Sequence, residues 1–325
     1  MQSLLITFTV ILSSLCAGYG LQRAHACGCL WPAGDLLLVR QRMQRFALFV
    51  CMPTSAMFSL WGLPSPSALY TLFPLFGIVG WLTGGLAGLA VARFLGLSRS
   101  QTGSVFCCAT LTNIAGIGGL VCVLFLGEQS IALVALYRMC EEFYYFGIVC
   151  PVSRAFGTGQ GGMNFSSALR HLVHDKVIGM ILLTLSLGLG LNLAGIPRPA
   201  GCGFLASGIM IFATMMFLVA IGMSLRISHL GLYTRQCLGI ICCKFLVVPA
   251  VIISLAWLCG LGHIDNGLPL KVMCILSAMP VAMNALVPPA LFGLDVDLAN
   301  TCWLGTTAAL VVVVPLLLLV MNSLS

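Results

Sequence analysis

The sequence predicts an all-α polytopic membrane protein of ten transmembrane helices, arranged as a 5+5 inverted repeat in which helices 4 and 9 are broken. Three observations carry this. Of the 325 residues, 60% are hydrophobic and only 7% charged, which leaves no water-facing domain. Ten apolar segments approach the roughly 20 residues that a spanning helix needs. The basic residues, finally, fall on alternate connections.

The ten segments run 3–21, 43–61, 68–92, 103–126, 129–153, 176–196, 203–225, 235–260, 269–293 and 296–322. In the first, Leu4–Gly18 followed by Ala24-His25-Ala26 has the outline of a signal peptide. Met1-Gln2-Ser3 carries no positive charge, however, and the basic residues follow the apolar run, so the segment is read as a retained first span. Connections after spans 1, 3, 5 and 7 hold eleven basic residues: Arg23, Arg40, Arg42, Arg45, Arg93, Arg99, Arg154, Arg170, Lys176, Arg226 and Arg235. The opposite connections hold only Arg198 and Lys271. This asymmetry places the odd connections in the cytoplasm and both termini on the non-cytoplasmic side of a plasma or inner membrane. It also accounts for the net charge of +7 without nucleic acid, since the basic residues never cluster with aromatics.

The connector 156–175 begins FGTGQGG, a flexible joint. Ser166 or Ser167 can cap a short helix after it. Phe165, Leu169, Leu172 and Val173 share one face of that helix, and Arg170, His171 and His174 lie largely on the other, as in a helix at the interface. Residues 1–155 thus form a first set of five spans and 176–325 a second. Five is odd, so the second set runs through the membrane inverted.

Span 9 contains SAMPVAMNALVPPALFG (277–293), with Pro280, Asn284, Pro288 and Pro289 in its interior. Each proline removes a donor and clashes with the preceding turn. Freed carbonyls in hydrocarbon cost several kcal/mol each unless buried in protein or facing a wet cavity. A broken helix at this depth therefore reads as a binding site or gate. An inverted repeat requires a counterpart in span 4, where Thr110, Thr112 and Asn113 stand beside Gly116, Gly118 and Gly119. A shift of 167 sets LFLGEQSIA (124–132) on LFGLDVDLA (291–299) and Asn113 on Pro280.

Charge within the spans supplies a second group of candidates. Arg138 lies three and four residues before Glu141 and Glu142 on one helical face of span 5. The group reads either as proton coupling or substrate counter-charge, or as a fixed ion pair between spans. Lys244 in span 8 is read as structural, its long side chain snorkelling to the interface. Thirteen of the sixteen cysteines lie inside apolar segments, where a thiol behaves as a small hydrophobe. Neither Cys27-Gly28-Cys29 nor His171 with His174 is accompanied by a second ligand pair, so no metal or other cofactor is expected.

GYGLQR (18–23), RFALFVCMPTSAMF (45–58) with the helix-breaking Pro53, NIAGIGG followed by GEQSIALVALY (127–137), AIGMSLR (220–226), and AMPVAMNALVPPALFGLDVDLA followed by Thr306, Thr307 and Pro315 occur in order along the chain. In this order and spacing the sequence resembles the auxin efflux carrier family of secondary transporters, within the bile-acid/arsenite/riboflavin transporter superfamily. The resemblance implies a scaffold and a transport domain, with broken helices 4 and 9 crossing. It also implies elevator-type transport of auxin or of small carboxylates such as malonate, malate and lactate. Asn113 and Gly118 then correspond to the asparagine and second glycine of the first crossover, and Pro280 to the proline of the second. The chain departs from the family at Ala115 and Leu120, where glycine and proline are common, and at Glu141 and Glu142, where neutral or amide residues are usual.

The expected site comprises Thr110, Thr112, Asn113, Gly116, Gly118, Gly119, Pro280, Asn284 and Pro288, with Arg138, Glu141 and Glu142 as coupling charges. Half-helix N-termini and the Asn and Thr side chains would hold a small organic anion. Neighbouring carbonyls would hold a cation, with H⁺ and Na⁺ both open. The partners are the bilayer and that anion, and a homodimer is left open. A non-transporting receptor of the same fold is the alternative; a membrane enzyme is disfavoured, since neither HExxH nor GxSxG occurs.

Overall fold

The computed structural model describes residues 2–28, 35–63, 68–157, 176–223 and 232–323. Among these the chain is helical nearly throughout and forms no β-strand, as befits a backbone whose polar groups must be paired within apolar segments. In order, the helices are α1 (Gln2–Ala26), α2 (Asp35–Phe46), α3 (Met52–Trp61), α4 (Phe73–Phe94), α5 (Arg99–Thr110), α6 (Gly119–Leu126), α7 (Gln129–Tyr137) and α8 (Glu141–Tyr144). There follow α9 (Cys150–Phe156), α10 (Lys176–Leu193), α11 (Cys202–Gly222), α12 (Thr234–Cys242), α13 (Val248–Leu258), α14 (Leu268–Ser277), α15 (Val287–Phe292) and α16 (Val296–Ser323).

Among the described residues, five stretches are long and apolar enough to cross a bilayer: Leu5–Ala26, Ala68–Phe94, Cys202–Gly222, Thr234–Leu258 and Val296–Met321. Leu86, Phe204, Trp257 and Leu319 on them point outward, a surface suited to lipid rather than water. Ile114–Leu126, Leu183–Leu193 and Met283–Phe292 are shorter apolar helices. The connector helix expected within 156–175 lies outside the described residues beyond Gly157.

Three prolines follow widened turns instead of breaking a helix. Pro53, Pro151 and Pro249 each stand two residues after a widened π-turn, at Ala47–Cys51, Tyr145–Val149 and Cys243–Val247. A proline ring clashes with the carbonyl four residues back, and the wider turn carries that carbonyl clear, so the helix continues. The break expected at Pro53 is thus a bulge in a helix continuous from α2 to α3. Span 5 shows the reverse: no proline interrupts it at Arg138–Cys140, yet the helix opens into a turn there between α7 and α8.

The helices group into two compact units. The first comprises Met1–Pro66, Ala115–Ala135 and Gly179–Arg226, and the second Ser67–Ile114, Leu136–Ile178 and Ile227–Ser325. Each draws on both halves of the sequence, so packing follows a different partition from the 1–155 and 176–325 sets expected from the sequence.

In the first unit, Ala47, Cys51, Met52, Val123, Ile131, Ala206, Met210 and Ala213 form the core. α1 crosses α11 at Gly18 and Gly222, where an added Cβ would lie 2.1 Å from the Val219 carbonyl oxygen or 2.4 Å from that of Leu15. Such backbone approach needs small residues. Ser55 donates to the Ala206 carbonyl (2.7 Å). Arg198 pairs with Glu128 and donates to the Phe58 carbonyl (3.1 Å), tying the end of α3 to the start of α7.

In the second unit, α4 lies along α5 through glycines spaced four apart. A Cβ on Gly84 would stand 2.2 Å from the Ala109 carbonyl oxygen, and one on Gly88 2.5 Å from the Ala109 Cβ. This contact fixes the C-terminal turn of α5, from which the candidate site begins.

Candidate functional site

α5 starts at a capping box: Ser98 Oγ accepts from the Gln101 amide (3.3 Å), and Gln101 Oε1 accepts from the Ser98 amide (3.4 Å). It ends at Thr110, because Leu111 turns extended at φ −82°, ψ 125°. α14 starts with Pro269 in its first turn, where no donor is missed. It ends at Ser277, three residues before Pro280, whose missing N–H and restriction on Met279 oppose helix beyond this point.

The two extended ends meet inside the second unit. Thr112 and Val281 face one another in an antiparallel bridge. The Asn113 amide donates to the Pro280 carbonyl (2.9 Å), and the Ala282 amide to the Leu111 carbonyl (3.1 Å). Each break thus satisfies the backbone that the other leaves free, which answers the requirement hydrocarbon imposes. The Val281 amide donates to Thr306 Oγ1 (3.2 Å), whose hydroxyl is within reach of the Cys302 carbonyl (2.8 Å). Leu111, Thr112, Asn113, Met279, Val281 and Ala282 are all buried.

This pairing has a local two-fold character that exchanges Leu111 with Pro280 and Asn113 with Ala282. The offset is 169 (281 less 112), against the 167 of the flanking sequence match. The second arm therefore reaches its Leu-Phe match in two fewer residues. Asn113, set on Pro280 by the sequence, is instead its hydrogen-bond partner.

Lys244 completes the crossing, and the sequence misread it. Its side chain is fully buried rather than snorkelling. Nζ donates to the Leu111 carbonyl (3.0 Å), Thr112 Oγ1 (2.7 Å) and, more weakly, the Thr110 carbonyl (3.4 Å). The π-turn before Pro249 carries it. Two of these oxygens are main-chain carbonyls at the C-terminal end of α5, the negative end of its dipole. Hydropathy alone gave no signal for this placement; the proline five residues on, marking a widened turn, was the available hint.

Thr110 Oγ1 and Asn284 Oδ1 are buried with no hydrogen-bond partner among the described residues. Asn284 lies in the 3₁₀ turn Met283–Leu286, which packs against α5 and α16. Pro288 and Pro289 are buried in the first turn of α15, where proline is tolerated. The break expected at Pro289 is accordingly absent, and the interruption lies at Ala278–Ala282.

Gly116, Gly118 and Gly119 belong to the first unit, where the Gly116 carbonyl accepts from Thr214 (3.2 Å). Arg138 Nε donates to Glu141 Oε2 (3.0 Å) across the opened turn of span 5. Trp81, Tyr137 and Tyr144 pack together beside that turn. No family model matches the chain, and no curated protein matches it.

Proposed function

We propose that the chain is a secondary active transporter of a small organic anion, a carboxylate by its resemblance to the auxin efflux carriers, working by alternating access. On this reading all ten apolar segments span the membrane as a 5+5 inverted repeat, with both termini on the non-cytoplasmic side. The single observation that carries it is the buried antiparallel pairing of 111–113 with 280–282. Thr110 Oγ1 and Asn284 Oδ1, without a partner among the described residues, retain hydrogen-bonding capacity suited to a polar solute.

The repeat is supported by parallel construction. α4 packs on α5 as α13 packs on α14, and each pair leads into one arm of the crossing. Each second half-helix ends at a glycine with positive φ, Gly127 or Gly293, shortly before an acid, Glu128 or Asp295.

Counterflow of labelled small carboxylates into liposomes holding the purified protein tests the reading. Asn113→Ala is expected to lower exchange about ten-fold or more, the loss of one buried polar partner. Pro280→Ala is expected to do likewise, because alanine favours helix over proline by about 3 kcal/mol and would extend α14 into the crossing. Both variants should remain in the membrane and monodisperse. Wild-type exchange in both would remove the assignment, and saturable binding without exchange would point to a receptor.

A further inference from the structure

The oxygens that gather around Lys244 are those a coupling metal cation would use: two main-chain carbonyls and a threonine hydroxyl, converging on one buried point. Hard monovalent or divalent cations take oxygen ligands of this type. Here the point is held by an amine on a tether. Three acceptors match the three protons of an ammonium, and the C-terminus of α5 favours positive charge. The titratable groups nearest are the thiols Cys108 on α5 and Cys243 beside the lysine. No carboxylate among the described residues pairs with Lys244 or stands among the groups that act on it. A buried cation without a counter-charge is costly, and an entering anion relieves that cost.

We infer that Lys244 is the resident cation of the crossing: its ammonium fills the oxygen site that a coupling Na⁺ would need, so an anion binds there without sodium. The cation site stands on geometry alone, while its consequence for the anion rests on the transporter reading. The proposal separates this lysine from a merely structural one, because removing the tether should open a site for free cations.

The first test needs no transport. In detergent, Lys244→Ala is expected to melt below the wild type, and to regain stability when N-methyl-D-glucamine is replaced by Na⁺ or methylammonium. The wild type and Lys244→Met, whose chain still fills the space, should not respond to the exchange. Equal responses in wild type and Lys244→Ala would overturn the site. Should Lys244→Ala fail to accumulate, Lys244→Gln keeps donors without charge and is expected to fold with anion exchange lowered about ten-fold or more; wild-type exchange in it would overturn the proposal. In liposomes the wild type should exchange anions equally in Na⁺ and N-methyl-D-glucamine, and Lys244→Ala should recover several-fold with Na⁺ or methylammonium. A wild type that requires Na⁺ contradicts the inference. No exchange by the wild type under any condition removes the transporter reading, and the melting experiment still decides the site.

Discussion

Ala282→Pro is expected to suppress the proposed anion exchange while leaving the protein folded. Ala282 has φ −75° and ψ 153°, which proline adopts without strain. Val281 before it is paired in the bridge, in the extended conformation a following proline prefers. The substitution therefore removes one element, the amide that donates to the Leu111 carbonyl at 3.1 Å, and puts a ring carbon in its place. Losing a buried partner costs about 1–3 kcal/mol, roughly one to two powers of ten in exchange rate if the crossing limits it. Leu111 O keeps Lys244 as a donor, so collapse of the segment is not expected. Counterflow in liposomes, with thermal melting of the same preparation, checks both parts. Unchanged exchange would separate the crossing from transport.

Leucine at Gly84 is expected to have the larger effect on stability. The new Cβ would stand 2.2 Å from the Ala109 carbonyl oxygen, a main-chain atom that moves only if α5 moves. α4 and α5 would have to separate by about 1 Å before contact became ordinary. Overpacking of this kind costs about 1–3 kcal/mol or more. Displacing α5 also displaces Leu111–Asn113 from their partners, so melting temperature should fall by several degrees and exchange should fall with it. Gly190→Leu serves as the control, since nothing lies within 4 Å of its Cβ position. An unaltered melting temperature in Gly84→Leu would mean that the close contact of α4 with α5 does not hold the second unit together.

What could be read in advance divides along physical lines. Apolar runs located the helices, because lipid imposes a length and a composition that one dimension records. Pro280 located the second break, since a missing donor acts within its own segment. Pro53 and Pro289 were read as breaks on the same logic, but a π-turn accommodates the first and a helix start accommodates the second. The opened turn at Arg138–Cys140 went unforeseen, because neither glycine nor proline marks it; the clustered Arg138, Glu141 and Glu142 were the visible sign. Lys244 was misplaced for another reason. Its partners are the main-chain oxygens of residues more than 130 positions away, and no local pattern announces a distant helix end.

Residues 111–113 pair with 280–282, and on the transporter reading this pairing governs exchange. Thr112 and Val281 face each other as a pair that shares no hydrogen bond, a geometry with Cα atoms about 4.5 Å apart that admits a disulfide. The Thr112→Cys, Val281→Cys double variant, oxidised with iodine and digested, should yield linked peptides by mass spectrometry. Counterflow should fall to background on linkage and return on reduction. Two free thiols that remain unlinked after full oxidation, or linked protein that still exchanges at the wild-type rate, would contradict it.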